Sequence, residues 1–168
     1  MRHPPKSQAL PPSERSLRRH LAKVLAWEDA HVGFDRAVAG IPPRLRGAQA
    51  AGLPYSAWQL LEHLRLAQAD ILDFCVNPRY RAPKWPADYW PGKPQPPRSG
   101  SWRRSVAAFR ADRRALIRLL GNAALDLHAS IPHGEGQTYL REFLLVADHG
   151  AFHVGELVVL RRLLGIWR

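Results

Sequence analysis

Between residues 77 and 100 the chain carries seven prolines, at positions 78, 83, 86, 91, 94, 96 and 97. A backbone with so many fixed φ angles and missing N–H donors forms neither a helix nor a central strand. The stretch is therefore a long, stiff loop, and regular structure has to lie on one side of it or the other. Trp85, Tyr89 and Trp90 punctuate it. Large rings are poorly placed in water, which predicts that the loop packs on the rest of the fold; a lid or a subunit contact is the functional alternative.

Two amphipathic segments precede the loop and two follow it. Over residues 13 to about 38, Leu17, Leu21, Val24, Leu25 and Val32 recur at helical spacing, until Gly40 and the Pro42–Pro43 pair stop the pattern. Ser56 then caps a second helix built on Leu60, Leu61, Leu64, Ala67, Ile71 and Phe74, ending near Asn77–Pro78. After the loop, Ser99 or Ser101 caps a third helix with Trp102, Val106, Phe109, Leu116 and Leu120 inward and arginines outward. Thr138 caps the fourth, which runs to Leu164 before Gly165. No strand-like alternation and no fixed repeat interrupts these segments. The expected fold is all-α: an antiparallel four-helix bundle in a single domain over residues 1–168, with residues 1–12 as a flexible tail.

Composition narrows the function classes. Cys75 is the only cysteine, which excludes an intramolecular disulfide and a cysteine-based zinc site. The N-terminus is polar and proline-rich, without the apolar core of a secretory signal, so a cytoplasmic location is the default expectation. Unbroken apolar runs such as 143–147 and 157–160 fall short of the roughly 20 residues that span a bilayer, and no membrane helix is expected. The net charge of +11 attracts phosphate. The basic residues are nevertheless scattered along every helix without interleaved aromatics, which favours a solvated arginine surface over a nucleic-acid groove.

His149 and His153 stand four apart in the most apolar helix of the chain, on a stripe with Glu142, Val146, Glu156 and Leu160. Leu145, Val146, Phe152, Leu157 and Leu160 crowd that side, which turns the stripe inward. His63 shares the inward face of the second helix. Buried imidazoles need partners. Two readings satisfy them: core histidines each bonded to a carbonyl or carboxylate, or one divalent cation shared by all three. His149-Gly-Ala-Phe-His153 lacks the glutamate of a zincin motif, so the metal, if held, sits in a bundle core. Glu28, His31 and Asp35 lie together on the first helix, with His31 an outer partner of the site at most.

The run Asp148-His149-Gly150-Ala151-Phe152-His153-Val154-Gly155-Glu156, with Leu160-Arg161-Arg162-Leu163-Leu164-Gly165 after it, resembles the last-helix signature of the DinB/YfiT-like superfamily. Tyr55-Ser56-Ala57-Trp58-Gln59-Leu60-Leu61-Glu62-His63-Leu64 resembles its second-helix motif. The resemblance implies a four-helix bundle, often dimeric, that holds nickel, zinc or iron on three histidines matching His63, His149 and His153. Glu62 beside the first ligand then joins His31 as an outer partner. The chain departs from the pattern at Gly150, where many members have Asn, and at Glu156, where many have Gln. Glu156 is a fourth ligand, an outer acceptor or a general base by its position, or else the partner of a nearby arginine.

Three imidazoles leave a coordination position open, as in catalytic sites. The resemblance implies a metal-dependent hydrolase or a transferase using a low-molecular-weight thiol such as bacillithiol or mycothiol, acting on a small molecule. His63, His149 and His153 would be the ligands and Glu156 the proton acceptor. The alternative is a non-catalytic, metal-stabilised stress-response or binding module whose basic surface engages an acidic partner.

Overall fold

The computed structural model describes residues 10–26 and 30–167. Among these, five α-helices follow in order: α1 (Pro12–Ala26), α2 (Phe34–Val38), α3 (Ala57–Val76), α4 (Ser101–Leu120) and α5 (Tyr139–Leu163). A short 3-10 turn at Pro43–Leu45 and a lone antiparallel bridge between Ser130 and Thr138 complete the regular structure, and no strand is present among the described residues. α3 packs on α4 and α5, α1 packs on the same two helices, and α2 lies against α5.

The first helix differs from the expectation of one segment over 13–38. α1 ends at Ala26, residues 30–33 are irregular, and the extended residue Gly33 (φ −80°, ψ 167°) opens the separate α2. The reason lies in the core, which is divided. Leu21 and Leu25 of α1 join one cluster, with Ile71, Leu116, Phe143 and Val146, whereas Phe34, Ala37 and Val38 of α2 join another, with Trp58, Leu64, Phe109 and Leu157. Apolar spacing continues across the break because both pieces bury a face. Val24, counted inward on that spacing, is exposed. Glu28 lies outside the described residues, as does most of the expected tail; α1 already begins at Pro12.

The other helix ends follow local chemistry. Ser56 Oγ accepts the Gln59 N–H at 3.2 Å and Gln59 Oε1 accepts the Ser56 N–H at 3.1 Å, a reciprocal cap on α3. Thr138 Oγ1 accepts the Arg141 N–H at 3.2 Å to start α5. α4 departs from the expected serine cap. Its N-cap is Gly100 at φ 80°, and Ser101 is already helical, because the chain leaves the proline-rich loop through a left-handed turn that only glycine adopts freely.

The loop over 77–100 is tied down along its length. Ser56 Oγ donates to the Pro94 carbonyl at 2.7 Å and Gln59 Nε2 to the Pro91 carbonyl at 3.2 Å. The phenols of Tyr80 and Tyr89 donate to the two oxygens of Asp70 at 2.7 and 2.6 Å. Trp90 stacks on Tyr55 with ring centroids 3.9 Å apart, while Trp85, against expectation, is 70% exposed.

Two arginines that the charge pattern placed in solvent are buried. Arg18 donates to the carbonyls of Leu120, Asn122 and Leu125 at and just beyond the end of α4, and Arg161 to those of Arg36, Ala37 and Ile166. Each guanidinium thereby meets carbonyls at a helix end, that of Leu120 in α4 and those of Arg36 and Ala37 in α2. α5 as a whole is long and apolar enough to cross a membrane by length and composition, although no unbroken apolar run in it is. Phe143, Val146, Val154, Leu157 and Leu160 instead bury its inner face in the two clusters.

Candidate metal centre

The seam between the two apolar clusters is polar. On α5 the clusters meet between Ala147 and Val154, and His149 and His153 occupy that interval; on α3 they meet between Leu64 and Ile71, and His63 immediately precedes that interval. His63 and His153 are buried, and His149 is partly buried. One nitrogen from each of the three rings lies within 4.8 Å of the others. The ring centroids are 4.5 to 4.9 Å apart and the rings meet edge-on.

Hydrogen bonds on the far side of the rings decide which atoms face the centre. His63 Nδ1 lies 3.0 Å from the Tyr89 carbonyl, an acceptor only, so Nδ1 carries the proton and Nε2 presents its lone pair. That Nε2 is 3.0 Å from His149 Nε2. His153 Nδ1 lies 2.6 Å from Glu156 Oε2, which leaves its Nε2 for the centre. Trp90 stacks on His63 at 3.8 Å and 7°, fixing the plane of the ring and covering one face of it.

The donor set fits a divalent ion. Two nitrogens, each about 2.0–2.1 Å from one ion at near-tetrahedral or square angles, are separated by about 2.8–3.4 Å, and the 3.0 Å His63–His149 contact falls in that range. Burial pushes both rings down from 6.5 to about 4; the Tyr89 carbonyl opposes the shift at His63, and the neighbouring histidines add to it at His149. Both imidazoles are therefore neutral at pH 7, the form a metal requires. Without an ion, His149 Nε2–H donating to His63 Nε2 satisfies the same contact.

The remaining sequence candidates fall elsewhere. Glu156 stands behind His153, outside the trio of facing nitrogens. Glu62 neighbours His63 in sequence but points away, its two oxygens held by Arg65 at 3.0 and 2.8 Å. His31 is exposed and its Nδ1 lies 2.9 Å from the Val32 carbonyl, while Asp35 pairs with Arg110 and Arg113. Burial, with Glu142 nearby, pushes the Cys75 thiol up to about 12, so the chain supplies no thiolate of its own. Sequence reasoning missed the Tyr89 carbonyl, a backbone group any residue offers, and Asp70, which looks like an ordinary surface acid until two phenols converge on it.

Beside the trio lies an apolar cavity of about 240 Å³, walled by His63, Ala67, Trp85, Tyr89, Leu145 and His149. It adjoins two of the three rings, those of His63 and His149.

The sequence model of the DinB superfamily matches residues 26–157, and the chain belongs to that superfamily. No curated protein and no solved structure matches it.

Proposed function

We propose that the chain is an antiparallel four-helix bundle that holds one divalent ion, nickel, zinc or iron, on His63, His149 and His153 and acts on a small molecule as a metal-dependent hydrolase or thiol S-transferase. The observation that carries this reading is the convergence of three ring nitrogens within 4.8 Å, with the outer nitrogens of His63 and His153 engaged by Tyr89 and Glu156. When bound, such an ion supplies Lewis acidity that lowers the pKa of water or of an incoming thiol such as bacillithiol or mycothiol.

The protein's own groups set the conditions. The Tyr89 carbonyl and the Glu156 carboxylate fix the tautomers and planes of His63 and His153, each accepting a hydrogen bond from the ring's Nδ1–H. Ala67, Leu145 and Tyr89 line an apolar berth for the substrate on the flank of the site. Leu144, Phe152, Val159 and Leu163 leave α5 with exposed apolar groups, the surface on which a second copy would dock to form the homodimer.

A non-catalytic, metal-stabilised module has the exposed arginines of α4 in its favour, among them Arg103, Arg114 and Arg118. Metal content separates the readings from a metal-free core. Untagged protein analysed by elemental analysis should carry near-stoichiometric metal, and a His149→Ala, His153→Ala double variant should carry none. Wild type that is metal-free and binds no added nickel, zinc or iron overturns the proposal. Turnover of thiol-transfer or ester substrates by the loaded protein then distinguishes the enzyme from the module, which would instead show salt-sensitive binding of an acidic partner.

A further inference from the structure

A second cavity in the described structure is larger than the one at the histidines. It measures about 390 Å³ and opens further along the same α3–α5 seam, where its walls include Phe74, Tyr80, His133, Gln137, Arg141 and Glu142. It shares Asp70, Ile71 and Leu145 with the cavity beside His63 and His149, so the two adjoin along one groove. From His149 back to Arg141 is eight residues of helix, about 12 Å at 1.5 Å per residue. The groove therefore has an apolar end at the histidines and a charged end roughly one tripeptide length away.

The charged end carries both signs. Glu142 is 2% exposed, and its Oε1 accepts a bond from Arg141 Nη1 at 2.7 Å. The Arg141 side chain is 56% exposed, and its bond to Glu142 uses one Nη of a five-donor fork. A buried carboxylate that walls a cavity and is bonded by one half-exposed guanidinium is suited to an ammonium. The open side of the Arg141 fork is suited to a carboxylate. A ligand end with both charges, laid across this ion pair, matches each charge to its opposite.

We propose that the far end of the groove, through Arg141 and Glu142, recognises an amino-acid-like terminus, ammonium and carboxylate together, of an elongated small molecule whose apolar or reacting part lies along Leu145 and Tyr89 toward the histidines. The inference rests on the metal reading only for which end of the ligand reacts. Recognition at the charged end needs no ion.

The test is calorimetric titration of metal-free protein with three probes of equal length: S-hexyl-L-cysteine, which carries both charges; S-hexylcysteamine, which keeps only the ammonium; and 3-(hexylthio)propanoic acid, which keeps only the carboxylate. The zwitterion should bind at least tenfold more tightly than either analogue. In Arg141→Ala, whose side chain is largely in solvent, the zwitterion should bind no better than the amine; in Glu142→Gln it should bind no better than the acid. Thermal unfolding of each variant checks that the fold survives. Equal binding of the three probes to wild type, no binding of any, or discrimination undiminished in Arg141→Ala would overturn the proposal. Metal content, measured on the same preparation before the metal is stripped and again after nickel, zinc or iron is added back, keeps the two readings apart. Metal bound with no discrimination among probes sinks this inference alone, and discrimination in a protein that takes up no metal sinks the metal centre alone.

Discussion

His63 donates its Nδ1 proton to the carbonyl of Tyr89 at 3.0 Å, so a residue of the proline-rich loop determines which nitrogen of a helix residue faces the centre. Tyr89 is itself fixed by its phenol on Asp70 at 2.6 Å, and Asp70 stands seven residues after His63 on the same helix. Helix, loop and ring form a closed chain of contacts, and the loop belongs to the site. Tyr89→Phe keeps the carbonyl and removes the anchor. It should weaken metal affinity about tenfold, the lower end of the range for losing an outer partner. Competition with a colorimetric chelator reads the affinity directly. Loss of melting temperature with unchanged affinity would mean that the phenol only holds the loop.

Removing the metal should cost stability through mass action. An ion at about 100 times its Kd stabilises the folded state by about 2.7 kcal/mol, provided the unfolded chain does not bind it. For a chain of this size that is a fall of about 5–10 °C in melting temperature on chelation. The His149→Ala, His153→Ala variant should melt at the same temperature with and without chelator. A wild type indifferent to chelation would leave the imidazoles as a hydrogen-bonded core pair.

The metal-free protein should also lose stability in mild acid. His63 and His149 titrate near 4 when folded and near 6.5 when unfolded, because burial disfavours their charged forms. Between those values the unfolded chain binds more protons than the folded one, so stability is fully present above pH 6.5 and declines as pH falls toward about 4. Urea titrations of chelator-treated protein at pH 7 and pH 5 should show the midpoint falling. Replacing both residues by Gln should flatten that part of the curve.

The buried arginines mark the limit of what composition conveys. Arg18 was indistinguishable in sequence from Arg15 and Arg19 beside it, yet it alone of the three is buried, with Leu120, Asn122 and Leu125 offering their carbonyls to it. Arg18→Ala should destabilise the fold by about 3–5 kcal/mol, since it leaves buried carbonyls unsatisfied. Lys in its place has no fork to span three acceptors and should recover little. Chemical denaturation of the two variants checks both statements.

Helices α3 and α5 and their caps were legible because Ser56 and Thr138 act within three residues of themselves, and a local signal survives any tertiary arrangement. The three histidines were legible for a related reason: a polar interruption in an apolar stripe is visible wherever the stripe is. The break after α1 was not, because it is set by which of two distant clusters each piece joins. Phe152 was misread for the opposite reason. α5 is apolar on most sides, so spacing could not tell its buried face from the exposed one on which Phe152 lies.

Glu156 supplies the sharpest test of how the site is held. Its Oε2 meets His153 Nδ1 at 2.6 Å, a position that orients the ring from behind. A glutamine there keeps an acceptor oxygen for the same N–H. Glu156→Gln should therefore retain metal with less than about tenfold loss of affinity, whereas Glu156→Ala should lose about 10–100-fold. The carboxylate's charge matters only if the proton leaves the ring, and that would appear as equal losses in both variants. Measured by chelator competition at pH 7, the Gln and Ala variants together separate an acceptor that positions His153 from an anion that the centre requires for its charge.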